Sequence, residues 1–231
     1  SDAHELTKLL KKRFGREKIF LMGHSSGTIL GIFLIQAYPD DYFAFGGVGQ
    51  VVDVIENEQL SYDFALSRAV ADNNTQAVAE LEQIGRPNEQ GKFIDDSGYE
   101  ITLNWVGYYG GEMYGKTDSE EIEEAILNSA VYANYQEELI NGWEFSQELF
   151  ADATVWQLDF RTRVPEVEIP VYFFTGRHDY DTPFKLVEQY LEVLNAPKKE
   201  IIWFENSAHF AFYEESEKFN KMVITKFLNR T

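Results

Sequence analysis

Residues 23–27, Gly23-His24-Ser25-Ser26-Gly27, hold a serine between two glycines. An apolar run at 19–22 precedes them and a mostly apolar stretch at 28–37 follows. This order predicts a strand, a sharp turn and a helix. A turn of this kind holds its serine in a strained conformation at the end of the strand, and flanking glycines relieve crowding. A serine hydroxyl is a poor nucleophile alone. It needs a base to take its proton, and the base needs a carboxylate to orient it. The bland alternative is a small-residue loop, and the flanking strand and helix count against it.

The chain has four histidines from which to draw the base. His4 lies in the opening helix, ahead of the serine, and His24 is inside the turn. His178 adjoins the candidate acid loop. His209, in FENSAHFAFYEE, follows an apolar strand at 201–204, so it sits on a loop at that strand's C-terminal end. That is where such a base is needed. The segment VYFFTGRHDYDTP ends another strand and then offers two acids, Asp179 and Asp181. Asp179 is preferred, because G-x-x-D directly after the strand places its carboxylate on the turn facing the histidine loop. Asp181 is the alternative, and its other role would be to cap the helix that opens at Pro183.

These residues need a scaffold. The first thirteen residues read as an amphipathic helix with cations at its C-terminal end, stopped by Gly15. Strands are expected at 19–22, 43–48, 171–175 and 201–204, and helices at 28–37, 183–194 and 217–228. Strands alternating with helices imply a parallel sheet covered on both faces. Between about residues 51 and 165 the texture turns helical, at 62–71, 75–84 and 119–133, with a loop at 108–112. The expected organisation is a sheet-and-helix core at 1–50, a helical insertion at 51–165 and the rest of the core at 166–231.

Composition excludes several classes. The formal net charge is -19, which argues against nucleic acid and against anionic membranes as partners. There is no cysteine, so disulfides and thiolate chemistry are out. That suits a reducing cytoplasm, the expected location; no leader is visible and no apolar run approaches the ~20 residues of a membrane span. Neither a metal nor an organic cofactor is implied.

The segments GHSSG (23–27), IPVYFFTGRHDYDTP (169–183) and SAHFAFYEESEKF (207–219) resemble the α/β-hydrolase superfamily, and within it the proline iminopeptidase and tricorn-interacting aminopeptidase group. The resemblance covers nearly the whole chain, loosely in the middle and closely at the end. It implies an α/β-hydrolase fold, a mostly parallel sheet with helices on both faces and a helical cap. It implies Ser25 as nucleophile, Asp179 as orienting acid and His209 as base, in that chain order. The backbone N–H of Ser26 would be one oxyanion donor. Cap glutamates hold the substrate's free amino group in this group, which points to Glu144 in NGWEFSQELF and secondarily to Glu112 in YYGGEMYG. Trp105, Tyr109 and Trp143 would line the pocket or simply pack. Where the family often has tryptophan after the serine, this chain has Ser26, with Thr28 after Gly27.

Members of the superfamily carry several strands before the nucleophile strand, and a glycine-rich loop that supplies the second oxyanion donor. Here one helix precedes that strand. The expectation is an N-terminally truncated enzyme, impaired unless another segment of the same protein completes it. The expected activity is acyl transfer through Ser25, releasing N-terminal residues such as proline from short peptides. A carboxylesterase or lipase-like enzyme on small esters is the alternative. An inactive fragment or binding scaffold is the alternative of another class. Dehalogenases and epoxide hydrolases need an aspartate where Ser25 stands.

Overall fold

The computed structural model describes residues 2–95, 97–150 and 157–228. Helix α1 (Asp2–Phe14) ends as Gly15 turns away with a φ of 60°. Strand β1 (Ile19–His24) then leads through the serine turn into α2 (Ser26–Ala37), and β2 (Tyr42–Val48) returns beside β1. After a long helical excursion come β3 (Val171–Gly176) and β4 (Lys199–Phe204). The four strands pair in parallel in the order β1-β2-β3-β4. Parallel neighbours need crossovers. Helix α2 makes one of them, and a later helix at residues 184–193 makes another.

Strand β3 is buried at every position, as a strand covered on both faces must be. Successive side chains of a strand face opposite ways. Phe173 therefore packs with Ile32, Ile35, Phe45 and Val187 on one side, and Phe174 with Phe204, Phe219 and Phe227 on the other. At the sheet's edge β1 is partly exposed along its length, and Met22 is 40% exposed.

Between β2 and β3 the described chain is helical. Helix α3 (Val54–Ala71), α4 (Thr75–Ile84) and α5 (Gly98–Tyr108) pack around Tyr62, Ala65, Leu81 and Val106. Helix α3 begins well before residue 62, because the Asp53 carboxylate caps it, accepting from the Glu56 N–H at 2.8 Å. The helix expected over 119–133 is shorter: α6 (Glu120–Leu127) gives way to turns, and α7 (Gln136–Phe150) follows. The short α8 (Phe160–Arg163) ties this region to the start of α3, with Arg161 bridging Asp53, Glu56 and Asp159 at 2.7–2.9 Å.

Helix α9 (Phe184–Val193) spans from β3 to β4, and α10 (Ala211–Glu214) and α11 (Ser216–Val223) close the chain. The last helix was expected to run unbroken to residue 228. It widens instead into a π turn at Ile224–Leu228, where Phe227 meets Phe20, Tyr172 and Phe174. Among the described residues no helix is long and apolar enough to cross a membrane.

Helix α2 lies close on the sheet because Gly31 has no side chain. A Cβ there would stand 2.3 Å from Cε2 of Phe45. Gly31→Ala is expected to destabilise by about 1–3 kcal/mol despite the better helix propensity of alanine. A denaturant melt checks this, and an unchanged midpoint would show that Phe45 gives way freely.

Candidate active site

Ser25 sits between β1 and α2 with φ 53° and ψ -127°. A non-glycine residue held there stores about 1–3 kcal/mol of strain, so its surroundings must over-determine it. Its N–H donates to the Val48 carbonyl at 2.9 Å, and its carbonyl accepts from the Thr28 N–H at 2.8 Å and the Thr28 hydroxyl at 2.6 Å. The same hydroxyl accepts from the Val51 N–H at 3.1 Å. Thr28 is thus a buried strut between the serine turn and the end of β2. The sequence reading gave it no role, although a hydroxyl inside an otherwise apolar helix start was a visible signal. Ser26 is the first residue of α2, so its N–H belongs to those without an intrahelical partner, at the positive end of the dipole.

The two flanking glycines are not equivalent. A Cβ at Gly23 would lie 2.5 Å from the Gly27 carbonyl oxygen, so that position must be bare. A Cβ at Gly27 would meet nothing within 4 Å. The expectation that both relieve crowding holds for Gly23 alone.

The structure brings Asp179 and His209 together. Asp179, fully buried on the turn after β3, accepts at Oδ2 from His209 Nδ1 at 3.0 Å and from the Thr182 hydroxyl at 2.8 Å. Its Oδ1 accepts from the Thr182 N–H at 2.7 Å. Asp181, the alternative acid, is also at the histidine but on the other nitrogen, with Oδ2 3.3 Å from Nε2. Burial works to lower the His209 pKa, but the Asp181 and Asp179 carboxylates outweigh it and push it up to about 9. Burial and the Asp179 charge raise the Asp181 carboxyl against the pull of His209. The Ser25 hydroxyl makes no hydrogen bond among the described residues.

The other histidines stand elsewhere in role. His24 is held neutral, its pKa lowered to about 4 by burial and by the charge of His209. Its Nε2–H donates to the His209 carbonyl at 3.1 Å, so it steadies the loop. His4 bonds Asp41 at 2.9 Å on the far side of the core, and His178 stacks on Tyr114 at 4.0 Å.

Two further glycines make room for the pair. A Cβ at Gly176 would stand 1.9 Å from the Ala208 carbonyl, and one at Gly49 2.7 Å from Cε1 of His209. Gly49 also has φ +54°. Helix α3 clamps the acid loop: Asn57 Nδ2 donates to the Asp181 carbonyl at 2.8 Å and Ser61 Oγ to the Tyr180 carbonyl at 2.7 Å. The loop after α5 joins in, with the His209 N–H donating to the Glu112 carbonyl at 2.9 Å. Glu214 receives the Ala208 N–H at 2.9 Å and the Tyr114 N–H at 2.7 Å, tying the histidine loop to the same segment.

Of the expected amine-binding acids, Glu112 lies at this site, and its charge also favours the proton on His209. Glu144 is exposed on α7. Trp105 and Tyr109 pack against the α3–α5 cluster, and the Trp143 side chain lies outside the described residues. Glu58 was not foreseen. It is 6% exposed on α3, and burial and the Asp181 charge push its pKa up to about 8, against a hydrogen bond with Asn57. An open groove lined by Asp53, Glu56, Arg86 and Asp159 includes none of these site residues.

Over residues 1–216 the chain matches the family described as serine aminopeptidase, S33. It belongs to that family. A probable aminopeptidase of Bacillus subtilis, YbaC, is 28% identical over 221 residues, covering 94% of this chain and 68% of that protein. An α/β-fold hydrolase from Bacillus anthracis superposes with a TM-score of 0.56 at 19% identity, over 97% of this chain and 73% of that one. A proline iminopeptidase-related protein from Thermus thermophilus does so with 0.55 at 14% identity, over 96% and 68%. The chain therefore has the α/β-hydrolase fold, and its family is one of hydrolase enzymes.

Two predictions follow from the local geometry of the site. Gly23→Ala should unfold or severely destabilise the turn, whereas Gly27→Ala should melt within about 1 kcal/mol of the parent; equal losses would contradict the contact difference. Glu58 has a folded-state pKa above its ordinary 4.5, so its contribution to stability declines from about pH 4.5 to about 8 and is level beyond. Glu58→Gln, which cannot ionise, should gain on the parent across that window by up to about 1.4 kcal/mol per pH unit. Denaturant melts at several pH values read the gain, and a pH-independent difference would contradict it.

Proposed function

We propose that the chain is a serine hydrolase working through an acyl-enzyme, with Ser25 as nucleophile, His209 as base and Asp179 as orienting acid. Two observations support this reading: the buried Asp179–His209 hydrogen bond of 3.0 Å, and the strained turn that holds Ser25 at the end of β1. Asp179 fixes the proton on Nδ1, so Nε2 is the nitrogen that takes the Ser25 proton. The Oγ–carbon bond forms, the carbonyl oxygen gains charge, and the Ser26 N–H stabilises it. His209 then gives its proton to the departing amine, and water hydrolyses the acyl-enzyme.

Within that chemistry we favour an aminopeptidase of the proline iminopeptidase type acting on short peptides. The acidic setting supports it: Asp179, Asp181 and Glu112 all act on the histidine, which suits a substrate with a free amino group. A neutral ester has no use for such a cluster. Glu112 and Glu144 are the proposed holders of that amine, and a reducing cytoplasm is the proposed setting.

A fluorophosphonate probe should label the chain, and Ser25→Ala should abolish labelling. Asp179→Asn should slow turnover by about 10³–10⁴-fold. Glu112→Gln and Glu144→Ala should each lower kcat/KM for a proline anilide and leave a neutral ester untouched. No labelling of the folded chain would end the acyl-transfer reading. Variants that leave turnover of both substrates untouched would favour an esterase.

A further inference from the structure

The main-chain bonding between β3 and β4 carries on past both strands. The Arg177 N–H donates to the Phe204 carbonyl at 2.9 Å, and the His178 N–H to the Ser207 carbonyl at 3.0 Å. Asp179 and His209 lie just beyond that last rung, where the sheet no longer sets their positions. Past it, a donor on each loop turns to the helical insertion. The Tyr180 N–H donates to the Gly111 carbonyl at 2.9 Å, and the His209 N–H to the Glu112 carbonyl at 2.9 Å. Two successive carbonyls of one segment therefore serve the acid loop and the histidine loop.

That segment, residues 111–114, is itself fixed in place. The Gly111 N–H donates to the Val106 carbonyl of α5 at 2.8 Å. Tyr180 stacks on Phe64 of α3 at 3.8 Å, and Gly111 passes so near that a Cβ there would stand 2.9 Å from Phe64 Cε1 and 3.0 Å from Tyr180 Cβ. The remaining hold is Glu214 of α10. Its Oε1 accepts from the Tyr114 N–H at 2.7 Å, and its Oε2 accepts from the Ala208 N–H at 2.9 Å. One carboxylate thus has one oxygen on the insertion and the other on the residue before His209.

We propose that Glu214 is a positioning residue for the acid–base pair: it fastens segment 111–114 to the histidine loop, and that segment, through its Gly111 and Glu112 carbonyls, sets how Asp179 and His209 meet. The inference rests on the acyl-transfer reading of Ser25, His209 and Asp179 given above. It makes the insertion a structural part of the site. Both Glu214 bonds go to main-chain N–H groups, so the residue works by holding two segments together. A carboxylate suits the position because both of its oxygens accept. Glutamine has the same shape but turns an NH2 group toward one of the two donors, so it holds one end only. The bonds to a charged acceptor are also roughly twice as strong as neutral ones.

The next residue supplies the contrast. Glu215 Oε2 accepts from the Asn206 N–H and from the Ser207 hydroxyl, each at 3.0 Å, so it holds the histidine loop from within the core. If holding that loop were enough, the two glutamates would be equivalent. Of the two, Glu214 is the one joined to the segment that also holds Tyr180.

Amide hydrogen exchange followed by NMR tests this on the acid loop. In Glu214→Gln the Tyr180 amide should exchange about tenfold faster relative to the amides inside β3, a ratio in which any general loss of stability cancels. The His209 Nδ1 proton, bonded to Asp179, should move upfield or broaden as the pair loosens. Glu215→Gln should leave both signals as in the parent. A Tyr180 amide that keeps its parent ratio in Glu214→Gln overturns the proposal. So does an equal effect of Glu215→Gln, which would place the hold in the histidine loop alone. Fluorophosphonate labelling should slow about tenfold in Glu214→Gln and stay near the parent rate in Glu215→Gln. Labelling at the parent rate in Glu214→Gln would overturn the positioning role. A parent chain that takes no label removes the acyl-transfer reading, whereas the exchange ratio alone decides whether Glu214 fastens the segment to both loops.

Discussion

The buried hydrogen bond between Asp179 and His209 sets the terms for the rest of the structure. Taking a carboxylate and an imidazole out of water costs several kcal/mol per ion unless both are fully partnered. The chain meets that demand with neighbours. Thr182 donates twice to Asp179, and the His209 main chain is held from both ends, its N–H by Glu112 and its carbonyl by His24. A third acid, Asp181, then sits against the same ring. The outcome is a histidine that is buried yet keeps its proton, because two close negative charges outweigh desolvation.

The sheet exists, in functional terms, to bring three loops to one edge. Parallel strands all end on the same side, so the turns after β1, β3 and β4 meet there. Their closeness depends on backbone meeting backbone. Gly176 lets the acid turn pass under the histidine loop, Gly23 lets the serine turn fold on itself, and Gly49 leaves space for the imidazole. Helix α3 and the loop after α5 then hold the acid and histidine loops by hydrogen bonds. Those bonds explain why Asn57 and Ser61, polar residues on α3, are buried.

Much of this was legible in the sequence where a local pattern had a local cause. The GHSSG turn showed because a strand run and a helix run flank it, and β3 showed because a fully buried strand is a continuous apolar run. Prediction faltered in the middle of the chain. Helix α5 carries aromatic residues on several faces, and α6 stops at Leu127 although polar helix formers precede it. There the stops come from tertiary contacts and turns that short-range periodicity does not record. Gly49 and Glu214 were likewise invisible as site residues, since His209 and Tyr114, which they meet, lie distant in sequence.

The sequence by itself determined the strand–turn–helix around Ser25, the order of strands and helices, and the short list of acids and histidines able to serve it. Those follow from nearest-neighbour chemistry: side-chain periodicity, turn residues and residue type. Only the tertiary structure decided which nitrogen of His209 faces which aspartate. Asp179 and Asp181 are two residues apart, and both reach the ring; a turn of backbone, pinned by Thr182 on one side and Asn57 on the other, sends one to Nδ1 and the other to Nε2. Spacing along the chain carries no information about that choice, because it is made by loops packing in three dimensions.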